Sequence, residues 1–234
     1  MRTPNKRTCG ITNSSGLTIL EVLVVVAIFL VITGIILFNY RGFQSNISVS
    51  NLAQDAALQI RKAQTYAIGV RQIAPASGSQ SGYGVYFVVD PSVPEGAKRF
   101  VLFADRNNNG TYDYAGGSPF ATPCGTGECL EEISISTEDR INQVCKKDMT
   151  GTLTCSVSSG GAQPSKGGPP ALTGSGEFVV LFKRPDTAAQ LLYSQGFGSP
   201  VNHVAKYMSI DFVSPQGVVR TVEIYPTGYI GVVQ

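Results

Sequence analysis

The chain has 234 residues, of which 43% are hydrophobic and only 15% are charged. This length holds one domain, with or without an appendage. The net charge of +2 comes from the first residues, because Arg2, Lys6 and Arg7 precede every acidic residue and the remainder carries 15 basic and 16 acidic side chains. A nearly neutral body gives no electrostatic reason to expect bulk binding of nucleic acid.

The first predicted element is an apolar helix that runs from Leu17 to Phe38, about the length that crosses a bilayer. The residues that interrupt its apolar character are Thr18, Glu21, Thr33 and Gly34. In an ordinary secretory signal, small residues follow a shorter apolar core, whereas here two serines and Gly16 precede it. The basic residues at the front are expected to stay cytoplasmic, which places the rest of the chain outside.

Glu21 is the unusual residue of this helix. A carboxylate in a membrane span is costly and marks a functional site by default. The alternative is a charge that reaches the interface, since Glu21 lies one turn from Leu17, but that leaves the junction of Gly16 and Leu17 unexplained. Glycine, a hydrophobic residue and then glutamate at the fifth place of an apolar helix resembles the class III leader of type IV pilins and pseudopilins. The resemblance covers Gly16 to about Phe38, with Leu17 where phenylalanine is more usual.

The resemblance implies that a prepilin peptidase cuts between Gly16 and Leu17 and that the new amine of Leu17 is methylated. It also implies that Glu21 pairs with the terminal amine of a neighbouring subunit, which would relieve the penalty on an unpaired charge in an apolar bundle. The expected partners are other pilin or pseudopilin subunits, membrane lipid before assembly, and an inner-membrane platform with an ATPase motor. The expected location is the cytoplasmic membrane, crossed once, with the head periplasmic or extracellular, and then the filament.

The helix is predicted to continue past the membrane as an amphipathic segment. Apolar residues recur at spacings of three and four, as in a helix with one buried face, at Leu52, Ala56, Ile60, Ala63, Ala67 and Val70. Residues 42–50 have a weaker helical pattern and are expected to bend or partly unwind. A continuous helix from Leu17 to Gln72 would be about 84 Å long.

Beyond Pro75 the pattern changes to β structure. Residues 82–90 and 98–105 predict a hairpin, residues 176–184 a strand, and residues 206–213, 218–225 and 228–233 a C-terminal antiparallel meander, with shorter strands near Ile133 and Leu153. The closing VEIYPTGYI and the earlier FKRP resemble H-type minor pseudopilins, which implies a helix on a β-sandwich-like head. The predicted fold class is α+β, divided into a cleaved leader (1–16), a transmembrane half-helix (17–39), an amphipathic half-helix (40–73) and a β-rich head (74–234).

Five cysteines divide into a single Cys9 and an even set later in the chain. The spacings suggest the loops Cys124–Cys129 and Cys145–Cys155, although four cysteines allow three pairings. A zinc site would more often show CxxC spacing and a nearby histidine. We therefore expect disulfides and an oxidising compartment.

A loop after the second predicted strand has the first nine places of an EF-hand-type calcium loop, D-x-N-x-N-G-x-x-D. Its candidate ligands are Asp105, Asn107, Asn109, Thr111 (through its carbonyl) and Asp113, with Gly110 at the sharp turn. The twelfth place holds Gly116, so Glu131 or Glu132 would have to supply the missing ligand. The alternative is an Asn/Gly-rich β-turn without metal.

The sequence contains no recognisable catalytic set, so we expect no enzymatic activity. The only histidine, His203, is expected to be a surface or packing residue, and the Gly/Ser/Pro-rich residues 158–175 an exposed insertion. Two alternatives to a filament subunit stay open. One is a tip module such as a DNA-uptake receptor, using Lys183, Arg184, Lys206 and Arg220. The other is a signal-anchored exoprotein that never polymerises.

Overall fold

The computed structural model describes most of the chain, and the statements below concern those residues. The described residues are 16, 18–69, 82–90, 93, 95–114, 116–121, 123–125, 127–157, 176–184, 186–195, 201–202 and 205–233, excluding the side chains of 38, 39, 41, 195, 201 and 202. The predictions for residues 1–15, Leu17, Val70 and residues 158–175 lie outside them.

One helix, α1, extends over the 50 residues Ile19–Ile68. The chain divides into two compact units, Met1–Phe43 and Gln44–Gln234, and α1 contributes residues to both. The expectation that residues 42–50 partly unwind is wrong, because this segment is helical throughout. The segment contains no proline, and it has buried residues of its own at Ser45 and Val49.

The remaining described elements are one short 3₁₀ helix, Gly96–Lys98, and strands in two antiparallel sheets. The six-stranded sheet has the order β3-β2-β1-β6-β7-β8 and the five-stranded sheet has the order β11-β10-β9-β4-β5. The strands are β1 (Gly82–Val89), β2 (Arg99–Asp105), β3 (Cys129–Ser134), β4 (Arg140–Asp148), β5 (Leu153–Val157), β6 (Gly176–Phe182), β7 (Ala189–Gln195), β8 (Val201–Asn202), β9 (Ala205–Val213), β10 (Val219–Ile224) and β11 (Ile230–Val233).

Most predicted strands are confirmed. β1 and β2 form the expected hairpin, and β9, β10 and β11 form the expected C-terminal meander. Gly217 and Gly228 both have a φ of +82° in the two turns of the meander, a conformation that glycine adopts without strain. Three strands, β4, β7 and β8, were not predicted. The sequence of β4 is mostly polar, which is why no strand was predicted there, yet β4 pairs with β5 on one side and β9 on the other. Its polar residues include Asn142, Gln143, Lys146 and Lys147.

The second half of α1 packs into a core that it shares with both sheets. The fully buried members of the predicted stripe are Ala56, Ile60, Ala63 and Ala67, while Leu52 is partly buried against the same core. Residues from the sheets include Phe87 and Phe178 on one side and Ile210 and Phe212 on the other. Burying each large side chain contributes about 1.5–3 kcal/mol, so this shared core stabilises the head.

The other face of the six-stranded sheet has a separate apolar cluster. It is built around Tyr86, Phe103 and Tyr112, with Tyr114 and Phe120 partly buried beside it. The loop that follows β2 supplies the last three residues, and it therefore covers this face. The structure is consistent with the α+β class: one long apolar N-terminal helix and a C-terminal domain of two antiparallel sheets.

Candidate functional site

The apolar start of α1 is exposed. Every described side chain from Ile19 to Leu37 is exposed except the partly buried Thr33 and Gly34, and Ile19 reaches 88% exposure. Exposed apolar surface of this extent is unfavourable in water and marks an interaction site. By length and composition, α1 is long and apolar enough to cross a membrane.

Glu21 lies in the first turn of this helix. Its backbone N–H donates to the Thr18 hydroxyl oxygen at 3.3 Å, so Thr18 caps the helix start. A carboxylate in the first turn is also favoured by the helix dipole. Among the described residues, none forms an ion pair with Glu21. Gly16 is exposed, and Leu17, whose amine cleavage would free, lies outside the described residues.

The predicted calcium loop is a compact set of side chain to backbone hydrogen bonds. Asp105 ends β2 and is fully buried, and its carboxylate accepts the N–H groups of Asn109 and Gly110 at 3.0 and 2.9 Å. Asn107 accepts the N–H of Asn109 at 3.1 Å, and Asn109 accepts that of Thr111 at 2.8 Å. Asp105 therefore fixes the turn at which Gly110 has a φ of +86°.

Asp113 and Glu128 close this loop. One carboxylate oxygen of Asp113 accepts the amide groups of both Asn107 and Asn109. Glu128, only 5% exposed, accepts the N–H of Arg106 with one oxygen and that of Asp113 with the other, each at 2.9 Å. Glu128 therefore ties the two ends of the loop together.

Glu131 and Glu132, the candidates for the missing ligand, both have other partners. Glu131 pairs with Lys62 of α1, and Glu132 pairs with Arg99 of β2 at 2.9 Å. The acidic residue at the loop is Glu128. The loop spacing in the sequence does not reveal Glu128, because Glu128 lies 15 residues after Asp113, inside a second loop that the cysteine pair Cys124–Cys129 closes.

Burial raises the pKa of Asp105, although the N–H of Gly110 and the charge of Lys183 oppose the shift. Burial likewise raises the pKa of Glu128, and the charges of Asp113 and Asp105 raise it further. Oxygen ligands of this kind suit calcium. Among the residues that the structure describes, however, no three His, Cys, Asp or Glu side chains are grouped to hold a metal ion. Backbone and amide N–H groups donate to the carboxylate oxygens of Asp105, Asp113 and Glu128 instead.

The later cysteines lie in two pairs at disulfide distance, as the spacing suggested. Cys124 and Cys129 have Cα atoms 5.0 Å apart, and Cys145 and Cys155 have Cα atoms 4.0 Å apart. Cys145 and Cys155 face each other directly across β4 and β5. Cys9 lies outside the described residues.

No family model matches this chain, and no curated protein or solved structure matches it. The function must therefore be inferred from its own residues and their geometry.

Two of the four basic residues considered for DNA contact have partners within the chain. Arg184 lies over the ring of Tyr83, 5.5 Å from its centre, and Arg220 donates to the Ser50 hydroxyl of α1 at 3.0 Å. Lys206 is exposed, and Lys183 lies close enough to Asp105 to affect its pKa. These positions do not favour a DNA-binding role. His203 lies outside the described residues.

Proposed function

We propose that this chain is the precursor of a type IV pilin-like filament subunit, of the minor pseudopilin kind, with a structural and not an enzymatic role. The observation that carries the proposal is the first half of α1, which is apolar all round and exposed, with the single carboxylate Glu21 in its first turn. The exposed half-helix would lie in the cytoplasmic membrane before assembly and against neighbouring subunits afterwards.

The energetics of this half-helix support the proposal. Large side chains such as Leu23, Phe29 and Ile36 gain about 1.5–3 kcal/mol each when they leave water, and either lipid or a bundle of helices supplies that environment. Glu21 is unfavourable in both environments unless a positive charge neutralises it. Cleavage after Gly16 would create such a charge at the amine of Leu17, one turn away. Charge pairing between subunits would then fix their axial register.

The same segment explains the partners that we propose. Prepilin peptidase would remove residues 1–16 at the cytoplasmic face, and an inner-membrane platform with an ATPase motor would extract the helix from lipid. The basic leader residues Arg2, Lys6 and Arg7 would hold the N-terminus inside, so the two cysteine pairs would lie in an oxidising compartment, where disulfides persist.

The test compares wild-type protein with Glu21→Gln in cells that have the assembly machinery. N-terminal mass spectrometry of the wild type should find a chain that begins at methylated Leu17. Glu21→Gln should still be cleaved, but its amount in sheared filaments should fall at least about tenfold, a loss of about 1.4 kcal/mol or more in assembly. Glu138→Gln, at an exposed position of the head, is the matched control and should assemble normally.

Two results would contradict the proposal. Equal incorporation of Glu21→Gln would show that the carboxylate does not direct assembly. Retention of residues 1–16 in the working protein would favour a signal-anchored exoprotein that does not polymerise.

We also propose that the loop from Asp105 to Asp113 is a structural clip that calcium would tighten. The support is that the carboxylates of Asp105, Asp113 and Glu128 all accept hydrogen bonds from this one loop, and that burial raises the pKa of Asp105 and of Glu128. Binding would require the amides of Asn107 and Asn109 to turn their oxygens toward Asp113. A cation would then replace these N–H groups as the partner of Asp113.

A further inference from the structure

The loop after β2 contains the only Asn–Gly dipeptide of the chain, Asn109–Gly110. Asparagine is a chemically labile residue, because the backbone nitrogen of the next residue can attack its side-chain amide. Glycine has no side chain to hinder that attack. The side chain of Asn109 is exposed, so water can reach it. The dipeptide therefore combines a reactive sequence with access to solvent.

The side chain of Asn109 is folded forward over Gly110. Its Oδ1 accepts the backbone N–H of Thr111 at 2.8 Å, which makes an Asx turn. The ring that this hydrogen bond closes contains both Cγ of Asn109 and the backbone nitrogen of Gly110. The turn therefore holds the nitrogen that would attack near the carbon that it would attack.

The hydrogen bonds of the loop also polarise the amide of Asn109. The Thr111 hydroxyl donates to the same Oδ1 at 3.0 Å, so this oxygen accepts two hydrogen bonds. Negative charge develops on Oδ1 during attack, and fixed donors stabilise it. Nδ2 donates to Asp113 at 2.9 Å, which fixes the orientation of the amide. The N–H of Gly110 donates to Asp105 at 2.9 Å, which increases the electron density on the attacking nitrogen.

We propose that Asn109 is a site of spontaneous deamidation in the folded protein, with Gly110 as the internal nucleophile and Thr111 polarising the amide. The Gly110 nitrogen loses its proton to water and forms a bond to Cγ of Asn109. The bond from Cγ to Nδ2 breaks, and ammonia leaves. Water then opens the cyclic imide and produces aspartate or isoaspartate. The net reaction consumes water and releases ammonia, so it needs no oxidant or reductant.

The reaction would change how the loop is held. The amide N–H of Asn109 that donates to Asp113 is lost, and two carboxylates repel each other in its place. The N–H groups of Arg106 and Asp113, which donate to Glu128 and close the loop, would then open more often. The loop would therefore loosen as the protein ages. This inference depends on neither the filament role nor calcium, because it uses only covalent chemistry within the chain.

Asn107 is a matched control within the same loop. Its Oδ1 accepts the N–H of Asn109 at 3.1 Å, so it makes the same kind of turn, and its side chain is also exposed. The residue that follows it is Asn108, which has a side chain. A difference in rate between Asn107 and Asn109 therefore does not come from exposure or from the turn.

The test incubates the full-length protein in detergent micelles at neutral pH and follows each asparagine by peptide mass spectrometry. A synthetic peptide of residues 105–114 serves as the unfolded reference. In the folded protein, Asn109 should convert at least about tenfold faster than Asn107 and no more slowly than in the peptide. Thr111→Val, which removes the hydroxyl donor, should slow the conversion at least about threefold.

A second measurement tests the consequence of the reaction. Asn109→Asp has the side chain of the aspartate product, so the N–H groups of Arg106 and Asp113 should exchange with deuterium at least about threefold faster than in the wild type. Thr65→Val is the matched control for the threonine substitution. It removes an exposed hydroxyl of α1 that donates to the Arg61 carbonyl, and it should deamidate like the wild type.

Circular dichroism should show that all variants are folded. The proposed reaction is overturned by any of three results: Asn109 keeps its amide in the folded protein while the peptide converts, Asn107 converts as fast as Asn109, or Thr111→Val converts like the wild type. Unchanged deuterium exchange in Asn109→Asp would overturn the proposed loosening of the loop.

Discussion

The two halves of α1 have the same backbone conformation and opposite environments. In the first half, large side chains such as Leu23, Phe29 and Ile36 are exposed. In the second half, the buried face is made mostly of alanine, at Ala53, Ala56, Ala57, Ala63 and Ala67. The first half is rich in β-branched Val and Ile, which have a lower helical propensity than alanine, yet both halves are helical. Helical propensity therefore does not explain the difference in environment.

This difference shows which half of α1 packs against other residues of the same chain. Small residues let the backbone of a helix approach a neighbouring element closely, and the second half uses them against the core of the head. The first half has bulky apolar residues with nothing covering them among the described residues. We infer that its partner is external, which is lipid or other subunits in the proposed function.

The largest expected effect comes from a substitution on the buried face of the second half of α1. Ala56 is fully buried, so Ala56→Leu should overpack the core and lower the free energy of unfolding of the head by about 1–3 kcal/mol. Leu23→Ala, in the exposed half, should change it by less than about 0.5 kcal/mol. Urea unfolding in detergent micelles, followed by tyrosine fluorescence, measures both. Equal effects of the two substitutions would show that the halves do not differ in packing.

The carboxylates of the two regions also differ in their partners. Glu21 forms no ion pair with a described residue, whereas the carboxylates of Asp105, Asp113 and Glu128 accept hydrogen bonds from N–H groups of their loop. If calcium binds this loop, free calcium at ten times its dissociation constant should stabilise the head by about 1.4 kcal/mol.

Thermal unfolding with calcium and with a chelator tests this prediction. Asp113→Asn should abolish the difference, and magnesium should give a smaller one, because it demands a more rigid octahedral site. An unfolding midpoint that does not respond to calcium in the wild type would identify the loop as an Asn/Gly-rich turn held by hydrogen bonds alone.

A smaller effect is expected at Asp211 of β9. Burial raises the pKa of this carboxyl, the charge of Glu223 adds to the rise, and bonds from Thr221 and Gln143 oppose it. Because the pKa is raised in the folded state, the stabilising contribution of Asp211 is complete below the ordinary value of 3.8 and is lost as the pH rises through the folded value.

Asp211→Asn removes this titration. The amide of the new asparagine can donate to the side-chain oxygen of Gln143 if the Gln143 side-chain amide rotates by 180°. The free energy of unfolding of the variant should therefore lie within about 1 kcal/mol of the wild-type value near neutral pH. It should be less stable, relative to the wild type, near pH 3.5. Urea unfolding at both pH values measures the change, with the exposed Glu138→Gln as control. A constant difference between variant and wild type would contradict the raised pKa.

Much of the fold could be predicted from local patterns. The spacing of Ala56, Ile60, Ala63 and Ala67 predicted the buried face of α1, because a helical period is a local property. The runs bounded by glycine and proline predicted the C-terminal meander, because its turns need the conformations that Gly217 and Gly228 adopt. Residues 42–50 were predicted less well, because burial in the tertiary structure supports a helix where the local pattern is weak.

The candidate sites divide in the same way. The sequence alone predicted the apolar helix and the place of Glu21 within it, and it suggested the loop that begins at Asp105 and the two cysteine pairs, because each depends on residues that are close in the chain. The tertiary structure was needed to show that Glu128 closes the acidic loop, that β4 pairs on both sides, and that the rings of Tyr207 and Tyr225 lie 5.4 Å apart. These contacts join residues that are distant along the chain, and sheet pairing, which local preference does not specify, brings them together.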